Sequence, residues 1–334
     1  MALLVIIPVS IYAKQANPQQ YGYQQPPQFW LEKMSAAFRE QSYRGVFVYQ
    51  EGNRLETLAV TQQAANGKTR ERILYLDGLP REMVRSGDQL TYTSLDKGVT
   101  RFNHGSLMPM VPKFSDSPVG SYYKVSYSPR QIDRIAGREA VVLSVIPVDH
   151  YRYGYQLWLD AQFGLLLKSV MIDSHGKIME RLQFTHIEPG VELSSPELAA
   201  MDKSNVTYDQ SIDIHKVPDK EGIWNWESGW LPEGFSVKSY SQRPSPVSEH
   251  KTDTVIYSDG LASFSVFVEP DETKVLSQAS ENIGALAAVS KVFRNGETYF
   301  HVTVVGEVPL GTAERVAVSV RPKRAGSKPG VSEE

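Results

Sequence analysis

The sequence predicts an α+β protein of two domains: a curled antiparallel sheet fronted by a helix, then a smaller α+β unit. Three observations support this prediction. About ten short segments rich in β-branched and apolar residues follow one another between residues 45 and 186, separated by turn signals. One helical pattern precedes them. A polar, weakly periodic segment then separates them from a second, shorter group of strand-like segments.

Length and composition are consistent with two globular domains. The chain has 334 residues, and a domain usually holds about 150 residues. The formal net charge of -3 gives no reason to expect nucleic acid binding. The chain has no cysteine, which excludes thiol catalysis, disulfide bonds and Cys-ligated metal sites.

Residues 1–16 are predicted to be a signal peptide. Met1–Tyr12 is apolar and uncharged. It is shorter than the ~20 residues that span a bilayer and has the length of a signal-peptide h-region. Cleavage is expected after Ala13 or Ala16. No basic residue precedes the apolar run, so the true start codon is expected upstream. A buried N-terminal strand is the alternative.

A helix is predicted from Pro27 to Ser42, because Trp30, Met34 and Phe38 recur at helical spacing. We expect this apolar face to pack on a sheet. Among the turn signals between the strands that follow, Asn66-Gly67 is a strong type I′ hairpin signal. Strands are predicted at residues 45–50, 54–62, 70–76, 122–127, 131–135, 139–145, 153–160, 165–173 and 177–186.

The segment Arg101–Gly120 contains three prolines, which argue against a central strand. Its apolar side chains predict a flap or a short broken helix over the mouth of the sheet. The predicted flap residues are Leu107, Met108, Met110 and Phe114.

The first domain is predicted to span residues 27–202, with a short helix at 196–201, and to be followed by a linker at 203–228. A small α+β domain is expected at residues 229–321, beginning near the cluster of Trp224, Trp226 and Trp230. Residues 322–334 are rich in Lys, Gly and Ser and are predicted to be a disordered tail. Strands are predicted at 235–241, 254–257, 262–269 and 298–305, and a closing helix at 310–320.

No catalytic motif or metal-ligand spacing is present in the sequence. The seven histidines show no H-E-x-x-H pairing, and His150 and His301 are interpreted as packing or surface residues. Nucleophile-elbow and phosphate-loop patterns are absent. Asp149, Asp160 and Asp173 follow predicted strands and are interpreted as turn formers rather than as a carboxylate pair. The sequence therefore predicts a protein that is not an enzyme and has no cofactor.

One face of the predicted sheet is apolar on two strands. Tyr155 and Leu157 share a face of one strand, and Leu182 and Phe184 share a face of another. A curled sheet with such an inner face either collapses into a core or encloses an apolar ligand. The sequence leaves both alternatives open, and these four residues are the candidate lipid-facing set.

Several long motifs of the chain resemble the RseB/MucB family. That family consists of periplasmic negative regulators of the sigma-E envelope stress response, and the resemblance covers nearly the whole mature chain. The motif D-H-Y-R-Y-G-Y-Q-L-W-L-D opens the most distinctive stretch. The matching segments are 44–52, 75–85, 149–169, 257–269 and 303–320.

The resemblance implies a first domain similar to the LolA/LppX-like half-barrel, with helices across its open side. It implies that the second domain docks the periplasmic part of the anti-sigma factor RseA or MucA, shielding it from the site-1 protease DegS. Lipopolysaccharide or another lipid would release it. A periplasmic lipoprotein or glycolipid carrier is the alternative, and the oligomeric state, including a homo-oligomer, stays open. The candidate partner-binding residues are Tyr257, Phe264, Phe267 and Tyr299.

Overall fold

The computed structural model describes residues 25–87, 89–96, 98–103, 121–198, 209–212, 226–244, 251–271 and 278–323. The predicted signal peptide, the flap residues and nearly all of the predicted tail lie outside these ranges. The helices are α1 (Pro27–Glu40) and α2 (Leu310–Ser319). The first-domain strands are β1 (Tyr43–Glu51), β2 (Arg54–Ala65), β3 (Lys68–Tyr75), β4 (Arg81–Ser86), β5 (Gln89–Ser94), β6 (Gly98–Asn103), β7 (Tyr123–Ile135), β8 (Arg138–Pro147), β9 (Gly154–Asp160), β10 (Leu166–Ile172), β11 (Ile178–Pro189) and β12 (Asp209–Ile212).

The first domain is built on one 12-stranded sheet with the order β12-β6-β5-β4-β3-β2-β1-β11-β10-β9-β8-β7. All neighbours are antiparallel except β12, which runs parallel to β6. The sheet is therefore two meanders, β1 to β6 and β7 to β11, joined where β1 pairs with β11. The expected antiparallel strand succession is confirmed. The sequence did not predict that β1 would lie at the centre.

Helix α1 forms where its apolar spacing predicted it. Pro27 stands at the first helical position, where its missing N–H costs no hydrogen bond. Trp30, Leu31 and Met34 are buried against the sheet, in one core with side chains of β1, β9 and β11. Packing of the helix on the sheet is thus confirmed.

The β2–β3 hairpin turns at the predicted Asn66-Gly67 pair. Both residues have positive φ, 52° and 71°. A type I′ turn requires this left-handed backbone at both central positions, which Asn and Gly tolerate best. The turn therefore sets the register in which Ala65 pairs with Lys68.

The second domain is a six-stranded antiparallel sheet covered on one face by α2. The strands of this domain are β13 (Trp226–Ser228), β14 (Ser236–Pro244), β15 (Lys251–Ser258), β16 (Ser263–Asp271), β17 (Ala279–Ile283), β18 (Leu286–Asn295), β19 (Thr298–Gly306) and β20 (Val320–Pro322). The sheet has the order β14-β15-β16-β19-β18-β17, and a small β13–β20 pair lies beside it. Val266, Val304, Val316 and Trp226 belong to the domain's own buried core.

Several predicted boundaries differ from the structure. Residues 123–135 form a single strand with an irregularity between Tyr127 and Ile132, where two strands were expected. Two short strands, β12 and β13, lie inside the segment predicted as linker. The predicted helix at 196–201 is a 3-10 turn over Ser195–Leu198 within the described residues. None of the helices in the described ranges is long and apolar enough to span a membrane.

Candidate functional site

The four candidate lipid-facing residues share the inner face of the first sheet. Leu157 pairs with Ser169, and Ser169 pairs with Leu182, so β9, β10 and β11 present these positions on one face. Phe184 pairs with Phe47 of β1, and their ring centroids are 5.4 Å apart. The structure therefore brings Tyr155, Leu157, Leu182 and Phe184 together, as the sequence predicted.

All four of these side chains are buried in the core that α1 completes. Leu157 has no exposed surface, and the other three are between 2% and 4% exposed. Trp30 and Met34 of α1 lie in the same core. In this conformation the face is filled by the protein's own side chains. An apolar ligand can reach it only if α1 or its neighbours move.

The inner face also carries ion pairs, on β2, β3 and β4. Glu56 accepts hydrogen bonds from Arg54 (2.7 Å) and Arg81 (2.8 Å) through one carboxylate oxygen. Glu71 lies 3.4 Å from Arg85. Burial raises the pKa of the Glu71 carboxyl, and the nearby Arg85 partly offsets this by lowering it. The inner face is therefore mostly apolar on β8 to β11, with the exception of Glu180, and it carries ion pairs on β2 to β4. The sequence did not indicate these ion pairs.

An arginine buried between the two domains anchors their contact. The Arg152 guanidinium donates to Asp259 Oδ2 at 2.7 Å and to the Glu233 carbonyl at 2.7 Å, both in the second domain. It also contacts Asp149 of its own domain at 2.9 Å. Tyr123 donates its hydroxyl to the same Asp259 oxygen. The Asp259 carboxylate is therefore ion-paired with one arginine and hydrogen-bonded to one tyrosine hydroxyl, both from the first domain.

Aromatic rings enclose the Arg152 guanidinium. Tyr122 and Phe235, one from each domain, each have their ring centroids 5.1 Å from its central carbon, and Tyr123 is 5.5 Å away. Burial raises the pKa of the Tyr123 hydroxyl, and Asp259 raises it further. That hydroxyl is consequently a stable donor at neutral pH.

A second set of contacts lies around Tyr151. Thr312 of α2 donates its hydroxyl to the Tyr151 carbonyl at 3.0 Å. The ring of Tyr151 packs edge-on against Trp230 at 5.0 Å, and Arg315 stacks on Trp230 at 4.0 Å. Tyr153 donates to the Val308 carbonyl at 3.3 Å. The D-H-Y-R-Y motif of the sequence is thus the docking segment for the second domain.

Two glycines of the second domain permit this close approach. A Cβ at Gly234 would lie 2.2 Å from the Tyr122 ring, and one at Gly284 would lie 2.5 Å from Cγ of Glu51. Ala285 beside it is completely buried in the core of the first domain. The two domains therefore share a continuous packed contact.

The four candidate partner-binding residues divide between the two faces of the second sheet. Tyr257 and Phe264 stack at 5.3 Å and are 3% and 2% exposed, on the face covered by α2. In this conformation the core of the second domain encloses both side chains. Phe267 lies between the buried Val266 and Val268 and therefore faces away from α2. Tyr299 is an odd number of positions from the buried Val302 and Val304 in β19, so it lies on the same outer face. Both are half-buried.

The three aspartates interpreted as turn formers fill that role. One Asp160 oxygen accepts backbone N–H groups of Gln162 and Phe163, and one Asp173 oxygen accepts those of His175 and Lys177. Asp149 accepts the N–H of Tyr151. Within the described ranges, no group of three or more His, Asp or Glu side chains is placed to hold a metal ion.

These features define a two-domain, predominantly β protein whose domains are joined through a buried arginine. Family models described as the MucB/RseB N-terminal domain and the MucB/RseB C-terminal domain match residues 26–202 and 220–321. The chain belongs to the MucB/RseB family.

Individual relatives match over most of the chain. The sigma factor AlgU regulatory protein MucB of Pseudomonas aeruginosa is 38% identical over 300 residues, covering 90% of this chain and 92% of that protein. The sigma-E factor regulatory protein RseB of Escherichia coli K12 is 27% identical, covering 87% and 89%. A solved Pseudomonas aeruginosa MucA/MucB complex aligns with a TM-score of 0.72 and 34% identity, covering 90% of this chain and 99% of the matched chain.

Proposed function

We propose that this protein binds the periplasmic part of a RseA/MucA-type anti-sigma factor and so restrains a sigma-E envelope stress response. The observation that supports this most is the match to MucB solved in complex with MucA(peri), with a TM-score of 0.73 over 90% of this chain and 100% of that chain. On this proposal the protein acts in the periplasm as a binding protein and not as an enzyme. The bound anti-sigma factor is shielded from the site-1 protease.

The proposed partner surface is the face of the second sheet that carries Phe267 and Tyr299. Phe267 pairs with Thr254 and Thr303 on neighbouring strands, which places it near the middle of this face. Arg294 stacks on Tyr299 at 5.8 Å. Half-buried aromatic residues among hydroxyl and charged groups have the composition of protein-binding surfaces.

Release by lipid is the second part of the proposal. Tyr155, Leu157, Leu182 and Phe184 would receive the acyl chains, and the predicted flap would cover them. Burying one chain of about 14 methylenes, at ~0.8 kcal/mol each, yields roughly 11 kcal/mol before costs. That gross gain is available to displace α1 from the face. A lipid can drive release only if it binds the partner-free form more tightly than the complex.

The carrier alternative requires the apolar face but no second domain. The Arg152 contact and the shared core at Ala285 are difficult to reconcile with a dispensable second domain. These contacts favour the regulator over a lipoprotein or glycolipid carrier.

The test is a binding titration of the mature protein against the periplasmic segment of the anti-sigma factor from the same organism, with and without lipopolysaccharide. We expect binding that lipopolysaccharide weakens, and slower cleavage of the segment by the site-1 protease when this protein is present. Lipid binding without any segment binding would instead support the carrier. Segment binding without protection would remove the shielding step.

A further inference from the structure

Three carboxylates from both domains meet beside the Gly284 contact. Glu51 ends β1 and pairs in register with Glu180 of β11, so both face the inner side of the first sheet. Glu307 belongs to the second domain, directly after β19, and acts electrostatically on Glu180. Close packing at this place is shown by Gly284, where a Cβ would meet Glu51. The cluster is therefore part of the domain contact.

Glu180 is the buried member of this carboxylate cluster. It is 6% exposed. Desolvation, followed by the charges of Glu307 and Glu51, raises its pKa to about 8, although a hydrogen bond from Tyr49 acts in the opposite direction. Burial also raises the pKa of Glu51. At neutral pH, Glu180 therefore holds a proton.

The surroundings of Glu180 add further acidic and phenolic groups. Tyr49 and Tyr155 have pKa values raised well above the ordinary value, first by burial and then by the carboxylates of the cluster. Burial raises the pKa of Tyr153, and the charges of Asp173 and Glu180 raise it further. These groups come from β1, β9, the β8–β9 connection and the end of β10.

The positive charge near the cluster comes from Arg54, which lowers the pKa of Glu51. Arg54 is also hydrogen-bonded to Glu56, and Glu56 raises the pKa of Glu51. Among the described residues, no cluster of three or more His, Asp or Glu side chains has the arrangement of a metal site. We therefore expect this carboxylate cluster to bind a proton.

We propose that Glu180, Glu51 and Glu307 form a proton-dependent contact that holds the two domains together while Glu180 is protonated and weakens when that proton is lost. Separation of the domains hydrates Glu180 and removes Glu307, so the separated state binds the proton less tightly. Docking is then strongest below the pKa of the separated state. As pH rises towards about 8, the part of the docking free energy that depends on this proton is lost.

The test uses the full chain labelled with two dyes far from the contact. Because the chain has no cysteine, Lys68→Cys and Glu297→Cys provide unique sites for the dyes. Both residues are exposed, at the β2–β3 hairpin of the first domain and the β18–β19 hairpin of the second. The distance between the dyes is followed in urea from pH 5.5 to 8.5, and the docking equilibrium is extrapolated to zero urea. We expect its constant to fall by up to tenfold per pH unit as one proton is released.

Three variants decide the proposal. Glu180→Gln, which stays neutral, should remove most of the pH dependence and keep the domains docked at pH 8.5. Glu307→Gln removes a charge that opposes ionisation of Glu180. The pH-dependent weakening should therefore become smaller and end at a lower pH, and docking should be stronger than in the parent at pH 7.5 to 8. The control Glu188→Gln, on the same strand but paired with Arg44, should behave like the parent.

Unchanged pH dependence in Glu180→Gln, or no effect of Glu307→Gln, would overturn the proposal. Far-UV circular dichroism at each pH verifies that both domains stay folded.

Discussion

Arg152 and Asp259 form an ion pair between the two domains, with Nη1 and Oδ2 2.7 Å apart and neither side chain exposed. Removal of two charges from water costs several kcal/mol per ion, which their attraction offsets only when additional hydrogen bonds complete the geometry. The Glu233 carbonyl and the Tyr123 hydroxyl supply such bonds. We therefore expect the pair to specify one relative orientation of the domains more than to add net stability.

The first prediction concerns this ion pair. Arg152→Met leaves Asp259 buried without its charged partner, and we expect a loss of about 3–5 kcal/mol of unfolding free energy. The double variant Arg152→Met with Asp259→Leu should recover a large part of that loss, because no unpaired charge remains. Urea unfolding followed by fluorescence measures both. Arg44→Met, which removes the exposed ion pair with Glu188, is the control and should change stability far less.

The double variant distinguishes the effect of an unpaired charge from the effect of lost packing. If it is as unstable as Arg152→Met alone, the loss comes from packing of the arginine against Tyr122 and Phe235 and not from an unpaired charge.

The second prediction concerns the close approach at Gly234. Its φ of +89° and the position of the Tyr122 ring both oppose a side chain. Gly234→Ala should therefore cost more than the about 1–2 kcal/mol expected from a left-handed backbone alone, because the domains must shift apart. Gly67→Ala is a matched control, since its φ is +71° and nothing lies within 4 Å of the added Cβ. Thermal unfolding of both variants measures the difference, and equal losses would contradict the interdomain contact.

Sequence reasoning predicted the local elements and missed most of what joins them. The Asn66-Gly67 turn and α1 follow from backbone preference and apolar spacing, which are local properties. Strands β17 and β18 were missed. The ion pair was also missed, because Arg152 and Asp259 are 107 residues apart in the chain. Asp259 lies between the predicted strands at 254–257 and 262–269, and its Oδ1 accepts the N–H groups of Leu261 and Ala262, as in a turn.

The candidate site was predictable to a similar extent. Alternation along β9 and β11 correctly placed Tyr155, Leu157, Leu182 and Phe184 on one face. Alternation alone does not tell which face of the second sheet α2 covers, so the sequence does not separate Tyr257 and Phe264 from Phe267. The carboxylate cluster brings together residues from three distant segments, and no local pattern marks such a meeting.

The third prediction concerns the inner face of the first sheet. Leu157→Ala removes a side chain with no exposed surface and should cost about 2–5 kcal/mol of unfolding free energy. The cavity that it leaves lies beside the other proposed lipid-facing residues. A lipid that enters this face should restore part of the lost stability, by an amount that grows with lipid concentration. Thermal unfolding with increasing lipopolysaccharide measures this. Ala287→Gly, which enlarges space in the core of the second domain, should show no such rescue.

The fourth prediction concerns the proposed partner surface. Phe267→Ser should weaken binding of the anti-sigma segment at least tenfold, which corresponds to about 1.4 kcal/mol, because an aromatic contact at the centre of an interface is lost. Val318→Ser is the matched control. Val318 is 68% exposed on α2, on the opposite side of the same sheet, and its loss should leave binding unchanged. Calorimetric titration of each folded variant measures the affinity. Equal affinities for the two variants would show that the partner binds another surface. The region around Tyr151 and Trp230 at the domain contact would then be tested next.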